Sequence, residues 1–420
     1  MPPTGIRAIL SDPAVRIVIA IIFITMLGFG IVAPILPLFA RSFGVTYIAA
    51  GLLISAFAFA RLVAGPVAGP LVDRFGERTS AATGVAIVGA SSLLTGLAPT
   101  FPLAVTFRGV GGVGSALLLT SLISYLMKVV PKDRMGRTLG LYYGAFNAGV
   151  IAGGPIGGLI ADRLGLASPL FFYAGLLFVA GILFLWLVRD PGSRSPHLPG
   201  GPRDRETATA SRAVRDLFKV RAFVTTISLN FAYLWMVAAV FQTLVPLFGQ
   251  DELGMSPAAI GVVFSVALAI ELLVLYPAGR TADRAGRRLV VILAMAALTI
   301  SVAALGVASN PLVLAGLMAA VGVASGYAGV VPGAMLSDVA PRERSGTAVG
   351  IFRFAGDLGF TLAPLVAGSA ASAFGFRPAF LVVALPVGLA LVLAVGTPET
   401  LLRTGPMEPG TPGREAGSDG

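Results

Sequence analysis

Long apolar runs, separated by short clusters of charged and turn-forming residues, extend over most of the sequence. Each run has about 20 residues or more, the length that an α-helix needs to cross the hydrocarbon core of a bilayer. In lipid, only helices and closed barrels satisfy all of their backbone hydrogen bonds, and a barrel would require alternating apolar and polar residues. The unbroken runs therefore predict a helical membrane protein.

Twelve such runs are present, and they predict twelve transmembrane helices. Only 12% of the residues are charged, whereas an average soluble domain has about 25%, so a water-soluble core of this length is excluded. The predicted spans lie near residues 15–40, 47–71, 79–98, 101–128, 136–160, 167–189, 222–249, 257–281, 288–308, 311–338, 346–373 and 377–396.

Two segments recur at one constant separation of 210 residues. Residues 69–78 (GPLVDRFGER) match residues 279–288 (GRTADRAGRR), and residues 131–140 (PKDRMGRTLG) match residues 341–350 (PRERSGTAVG). Because six spans separate the equivalent positions, the two halves have the same orientation. The predicted fold class is an all-α membrane protein with twelve transmembrane helices in two pseudo-symmetric six-helix bundles. Secondary transporters use such parallel repeats, with the binding site near the midplane between the halves.

The distribution of Lys and Arg predicts the orientation. An even number of spans puts both termini on one side, and most of the 30 basic residues lie on that side. Only Arg41, Arg163 and Arg377 lie on the opposite side. Cytoplasmic loops carry the excess of basic residues, so both termini are expected in the cytoplasm and the chain in the cell (inner) membrane. The net charge of +10 is thus a feature of topology, and no nucleic-acid partner is expected.

Two polar segments set the predicted domain boundaries. Residues 190–221 are rich in Pro, Gly, Arg and Asp, which indicates a cytoplasmic linker with room for a short amphipathic helix at 213–220. Residues 400–420 are of low complexity and are predicted to be a disordered cytoplasmic tail. The two six-helix bundles then occupy residues 1–189 and 222–399.

The segment at 69–78 resembles the loop motif G-x-L-x-D-R-x-G-R-R of the major facilitator superfamily, and the resemblance covers residues 15 to 396. Glu77 departs from the motif, where a basic residue is usual, and Thr281 replaces the Leu in the second copy. The resemblance implies a conformational gate that closes the cytoplasmic side. The alternative is a solvated topological loop. The gate residues are Gly69, Asp73, Arg74, Gly76 and Arg78, repeated as Gly279, Asp283, Arg284, Gly286 and Arg288.

Physical reasons accompany three of these gate positions. Gly69 would let the second helix pack tightly on a neighbour, and Gly76 would permit a sharp turn. Asp73 is expected to meet the positive N-terminal end of a facing helix or nearby Arg side chains.

Residues 27–38 of the first helix (LGFGIVAPILPL) resemble the twelve-helix drug:proton antiporter branch of this family. The fifth helix is similar to the antiporter motif ending in G-P-x-x-G-G, although a single residue separates Pro155 from Gly157. Glycines beside a proline give a kinked surface suited to sliding, and generic small-residue packing is the alternative. The residues that carry this resemblance are Gly149, Gly153, Gly154, Pro155 and Gly158.

Five charged residues fall inside the predicted spans: Arg61, Arg108, Glu271, Arg353 and Asp357. A charge at this depth costs at least ~2.5–3.5 kcal/mol, so each is a candidate for proton coupling. Burial favours the neutral form of a carboxylic acid, and a neighbouring Arg favours the ionised form. The family resemblance also implies a coupling role for Arg108, although Gly111 replaces the Gln of the family pattern R-x-x-Q-G-x-G.

Two structural alternatives remain open for these charges. Arg353 and Asp357 are four residues apart, so they could neutralise one another on one helix face. Arg61 and Glu271 are repeat equivalents and could face each other across the pseudo-twofold axis.

Polar and aromatic side chains in the fifth and seventh spans are candidates for a substrate cavity. Such mixtures suit an amphipathic organic compound, whereas ordinary packing or an interfacial aromatic belt is the alternative. The candidates are Tyr143, Asn147, Asn230, Tyr233, Trp235 and Gln242.

The predicted function is proton-coupled efflux (antiport) of a small amphipathic organic compound or drug by alternating access. The alternative within transport is a proton-coupled symporter or exporter of sugars or other metabolites. An integral-membrane enzyme or receptor is a third class, but the chain has no Cys and one His, so enzyme, metal and cofactor are not expected. The expected partners are substrate, protons and membrane lipid, and a monomer is expected.

Overall fold

The computed structural model describes residues 12–187, 214–340 and 345–401. In these ranges twelve helices are long and apolar enough to cross a membrane, as predicted. In chain order, α1 to α12 are Pro13–Val32, Tyr47–Phe75, Glu77–Gly96, Phe101–Val129, Lys132–Leu164, Ser168–Leu187, Arg221–Asp251, Pro257–Ala285, Arg287–Val307, Pro311–Val339, Ser345–Phe374 and Phe376–Val395.

The predicted linker and tail lie mostly outside the described residues. Within the linker, residues 214–219 are helical, inside the predicted amphipathic segment. The domain boundaries themselves stay predictions.

Proline explains one local irregularity in the first helix of each half. α1 ends at Val32, and after a turn containing Pro34 the chain continues as a short helix, Leu36–Arg41, with Pro37 in its first turn. In α7 a π-helical segment, Val237–Leu244, comes directly before the turn that contains Pro246. Proline has no backbone N–H to donate, so a helix must change its hydrogen-bond pattern near it.

The two halves repeat one packing scheme. In the first half α1 packs on α5, α2 and α3 on α4, and α3 on α6. In the second half α7 packs on α11, α8 and α9 on α10, and α9 on α12. These sets correspond helix by helix, which confirms the prediction of two pseudo-symmetric six-helix bundles.

The halves meet mainly through two helix pairs, α2 with α11 and α5 with α8, which the pseudo-symmetry exchanges. At the end where α1 connects to α2 and α7 connects to α8, here called the far end, these pairs are in close contact. A side chain at Gly51 of α2 would overlap the backbone of Pro364, and one at Gly261 of α8 would overlap Gly154. Small residues thus bring the helix backbones together at the far end.

The opposite end, here called the linker end, is open between the halves. A Cβ atom added at Gly69, Gly136, Gly140 or Gly350 would meet no atom within 4 Å. The interface is therefore closed at the far end and separated at the linker end.

Candidate functional site

An ion pair joins the two halves in the middle of the bundle. Arg61, at the midpoint of α2, donates from Nη2 to Oδ1 of Asp357 on α11 over 2.8 Å. The guanidinium also lies over the Phe360 ring, 5.5 Å from its centroid. Both side chains keep partial exposure, 23% for Arg61 and 31% for Asp357. The pair therefore faces the space that opens toward the linker end.

Arg353 does not neutralise Asp357, so that alternative is wrong. No ion pair joins the two side chains in the described residues, and Asp357 pairs with Arg61 instead. Arg353 is exposed, one helical turn nearer the linker end on the same face of α11. Because Asp357 reaches Arg61 of α2, this face of α11 is the one directed toward the first half.

Glu271 on α8 lies inside the second half and is only 8% exposed. Tyr233 of α7 donates its hydroxyl to Oε1 over 2.5 Å, and Ser325 of α10 donates to Oε2 over 2.8 Å. No Lys, Arg or His forms an ion pair with this carboxylate among the described side chains. The alternative in which Arg61 and Glu271 face each other is therefore wrong, because the interface pairs α2 with α11 rather than with α8.

Arg108 of α4 is buried inside the first half, with 3% exposure. Its guanidinium lies over the Phe57 ring, 4.4 Å from the centroid, and near Tyr173 of α6. Nε and Nη1 are buried and have no hydrogen-bond partner. A buried cation without an anion costs free energy unless a group or a moving proton compensates it. Asp357 is bound by Arg61, and Glu271 is bound by Tyr233 and Ser325, so Arg108 lies apart from both carboxylates.

The structure separates the cavity candidates of α5 from most of those of α7. Tyr143 is 44% exposed, and the Asn147 amide donates to its backbone carbonyl oxygen over 2.9 Å. Tyr233 belongs to the Glu271 cluster. Asn230 donates to the carbonyl of Phe352 over 2.7 Å and so ties α7 to α11.

Trp235 and Gln242 pack inside the second half. Each is 6% exposed, and Trp235 donates its indole N–H to the carbonyl of Val383 over 3.1 Å. Trp235 thus holds α12 against α7 instead of lining an open surface.

The antiporter-like glycines of α5 divide into two faces. Side chains at Gly149 and Gly153 would overlap the backbone of α1, whereas side chains at Gly154 and Gly158 would overlap the backbone of α8. One face therefore packs within the first half and the other across the interface. Pro155 lies inside the helix between them.

In the first copy of the loop motif, at residues 69–78, the residue directly after the turn glycine is acidic. Gly76 adopts φ +82°, as the predicted turn requires. Glu77 is buried and pairs with Lys128 at the end of α4, with 2.5 Å between Oε1 and Nζ. Asp73 is exposed, and in the described residues its carboxylate has no ion pair. The predicted tight packing at Gly69 is wrong for this state, because no atom lies near its Cβ position.

In the second copy, at residues 279–288, the equivalent residue is basic. Gly286 adopts φ +101°, and Arg287 replaces Glu77 at the start of the following helix. Arg287 pairs with Asp283 over 2.5 Å and with Asp338 at the end of α10 over 3.3 Å. Asp338 is the repeat equivalent of Lys128, so the same bridge recurs with its charges exchanged.

Both copies end with an arginine that binds the last helix of its own half. Arg78 donates to the carbonyl of Leu185 near the end of α6, and Arg288 donates to that of Val395 at the end of α12 over 2.9 Å. A cation is favourable at a helix C-terminus. Within the gate set, Arg74 lies over Phe75, with 5.4 Å from its guanidinium carbon to the ring centroid.

Sequence reasoning did not single out the groups that close the far end. Tyr47 donates its hydroxyl to Asp251 of α7 over 2.8 Å, and Arg41, which stacks on the Tyr47 ring, pairs with the same carboxylate over 3.9 Å. Asp162 of α5 accepts from the backbone N–H of Ala258 in α8 over 3.1 Å. These links cross between the halves, and repeat comparison alone contains no signal for them.

A duplicated bundle of twelve spans, sealed between its halves at one end and separated at the other, is the architecture of a multi-pass membrane transporter. The chain belongs to the Major Facilitator Superfamily, whose sequence model matches residues 18–274 and 236–414.

Relatives include drug-resistance proteins. Multidrug resistance protein 2 of Bacillus subtilis is 24% identical over 260 residues, 61% of this chain and 64% of that protein. Quinolone resistance protein NorA of Staphylococcus aureus is 25% identical over 241 residues, 57% of this chain and 60% of that protein. The aligned regions thus span less than two thirds of these relatives.

Solved structures share the fold. A bacterial homologue of the human lysosomal transporter Spinster, in an inward-facing and occupied conformation, has a TM-score of 0.77 at 14% identity. That alignment covers 91% of this chain and 97% of the other. A D-xylose-proton symporter has a TM-score of 0.71 at 19% identity, covering 92% of this chain and 98% of the other.

Proposed function

We propose that the protein exports a small amphipathic organic compound from the cytoplasm in exchange for protons, as a monomer in the cell membrane. The observation that carries the proposal is Glu271, a buried carboxylate whose two oxygens, among the described residues, accept only from the hydroxyls of Tyr233 and Ser325. An ionised carboxylate in such a place is costly without a cation, and binding a proton removes that cost.

Proton binding is linked to the conformational change through α8. This helix carries Glu271 and also forms half of the inter-half interface, where Gly261 packs on Gly154 of α5. Opening the far end must separate α8 from α5, so the surroundings of Glu271 differ between the two states. A group whose proton affinity differs between states couples proton binding to their equilibrium.

The ion pair between Arg61 and Asp357 is the second element of the proposed cycle. It crosses the interface between α2 and α11, so its geometry depends on how the halves are placed. A proton on Asp357 would release Arg61. Asp357 is therefore the second coupling candidate. Arg353, one turn away, is a candidate for tuning it, and Arg108, which lies apart from both carboxylates, would contribute to coupling through its own buried charge.

The positive-inside rule supports a cytoplasmic assignment for the linker end, and hence an inward-open description of this state. In the opposite state the linker end closes, and exposed Asp73 is then available to a facing helix of the second half. The drug-resistance relatives favour export of an organic compound over uptake of a sugar.

The test is transport by the purified protein in vesicles with an imposed pH gradient and a chemically varied panel of compounds. Antiport predicts accumulation when the vesicle interior is acidic, because outward proton flow then drives inward movement of the compound. A symporter would instead accumulate its substrate when the exterior is acidic. That second result, with no exchange against protons, would contradict the proposal.

A further inference from the structure

Charges in the space between the halves do not balance. Arg61, Arg353 and Asp357 project into this space, and the only carboxylate among them is already bound by Arg61. Arg353 stays exposed and forms no ion pair with a described side chain. The cluster therefore carries one positive charge in excess.

The other deep charges do not correct this imbalance. Glu271 is closed off inside the second half, with both oxygens hydrogen-bonded to hydroxyls. Arg108 lies inside the first half behind Phe57. A cationic compound that enters from the linker end would thus meet no free carboxylate among these residues, whereas an anion would meet a free guanidinium.

We propose that Arg353 is the anchor for the acidic head group of the substrate, which is an amphipathic organic carboxylate. A guanidinium presents a planar fork of donors that matches a carboxylate, and the low-dielectric walls of a cleft strengthen the attraction. Tyr143, the repeat equivalent of Arg353, offers a partly exposed ring to the apolar body of such a compound. This inference rests on the proposed function for the amphipathic organic nature of the substrate and for the direction of transport.

Binding of three probes with one carbon skeleton tests the charge preference. Phenylbutyrate, its primary amide and phenylbutylamine are titrated into the full chain in lipid nanodiscs at mildly alkaline pH, with calorimetric detection. The carboxylate is expected to bind about tenfold more tightly than the amide, because its hydrogen bonds to the guanidinium are charge-assisted. The amine is expected to bind no better than the amide.

Variants locate the effect. Arg353→Gln should reduce carboxylate affinity to that of the amide and leave amide affinity unchanged, and Arg353→Lys should restore part of the preference. Arg377→Gln, which removes an exposed arginine at the far end, is the matched control and should change nothing.

Equal or tighter binding of the amine, no saturable binding of the carboxylate, or an equal loss of all three ligands in Arg353→Gln would overturn the inference. Gradient-driven transport is scored separately in vesicles. Failure of the charge preference with intact antiport therefore removes only the substrate class, whereas failure of antiport with an intact charge preference removes only the proposed coupling.

Discussion

The two halves keep the same helix contacts but place opposite charges at equivalent positions. Arg61 of the first half corresponds to Glu271 of the second, and Glu77 with Lys128 corresponds to Arg287 with Asp338. Three close backbone contacts recur with glycine at equivalent positions of the two halves, namely Gly51 and Gly261, Gly112 and Gly322, and Gly158 and Gly368. Close backbone packing therefore requires small residues at these positions, whereas the charged positions can take different roles in the two halves.

This difference changes what each loop motif can do. In the second copy Arg287 holds Asp283 within its own loop and Asp338 on α10, which makes a fixed brace. In the first copy Glu77 is acidic and cannot hold Asp73, so this carboxylate stays exposed toward the open end. We infer that the first copy supplies the movable gate contact and the second copy stabilises its own bundle.

The largest expected effect comes from disrupting the close helix contacts at the far end, to which both halves contribute an equivalent glycine. Gly51→Val and Gly261→Val each place a side chain against a backbone across the interface at the far end, so each should prevent closure and abolish transport. Gly175→Val, at an exposed position of α6 with no atom near its Cβ position and outside both interface pairs, is the matched control. Accessibility of single cysteines introduced at either end measures the state, because the native chain has no Cys.

Equal shifts toward far-end accessibility in both variants would support the symmetric interface. If one variant kept normal closure and transport, the two interface pairs would not be equivalent.

Exchanging the charges of Glu77 and Lys128 tests whether the direction of this ion pair matters for stability. Glu77→Lys alone should destabilise the protein by about 1.5–3 kcal/mol, since Lys128 loses a charged hydrogen bond and meets a like charge. Glu77→Lys with Lys128→Glu should recover most of this loss. The same exchange in the second half, Arg287→Asp with Asp338→Arg, should recover less, because Asp283 also depends on Arg287.

Thermal unfolding of the detergent-solubilised proteins provides the measurement. If the double exchange restored stability equally in both halves, Asp283 would not depend on Arg287. The three charged side chains of the second copy would then not form a brace.

The smallest effect is expected at Glu399, which lies beyond α12 and caps α9. Burial disfavours its ionised form, but backbone N–H groups of Leu401, Arg288, Arg287 and Thr400 outweigh this and lower its pKa below the usual 4.5. A lowered pKa in the folded state gives stability that is present above pH 4.5 and is lost as the pH falls through the folded value. Glu399→Gln should cost about 0.3–1 kcal/mol at neutral pH and nothing in acid.

Unfolding temperatures measured across a pH series check this prediction. A loss of the same size at all pH values would mean that Glu399 acts through packing and not through its charge.

The sequence predicts the backbone plan far better than the partners of its charges. Hydropathy indicates all twelve helices, and the 210-residue repeat and the turns at Gly76 and Gly286 depend on local pattern alone. Charge partners instead depend on which helices become neighbours. Nothing local indicates that Asp357 binds Arg61 across the interface rather than Arg353 on its own helix.

Two further site residues had misleading local signals. Lys128 looks like an ordinary basic loop residue of the positive-inside pattern, yet it neutralises buried Glu77. Ser325 looks like a small packing residue, yet its hydroxyl holds Glu271. Both roles arise from contacts between helices that are far apart in sequence.

The most direct test of proton coupling through the second half compares two transport modes of Glu271→Gln in vesicles. Accumulation driven by an acidic interior should be lost, because the buried group no longer exchanges a proton. Substrate–substrate exchange without a gradient should persist, because the interface and the ion pair between Arg61 and Asp357 are intact. Glu252→Gln, at an exposed acid of the far end, is the matched control. Gradient-driven accumulation by Glu271→Gln equal to that of the unaltered protein would contradict the account.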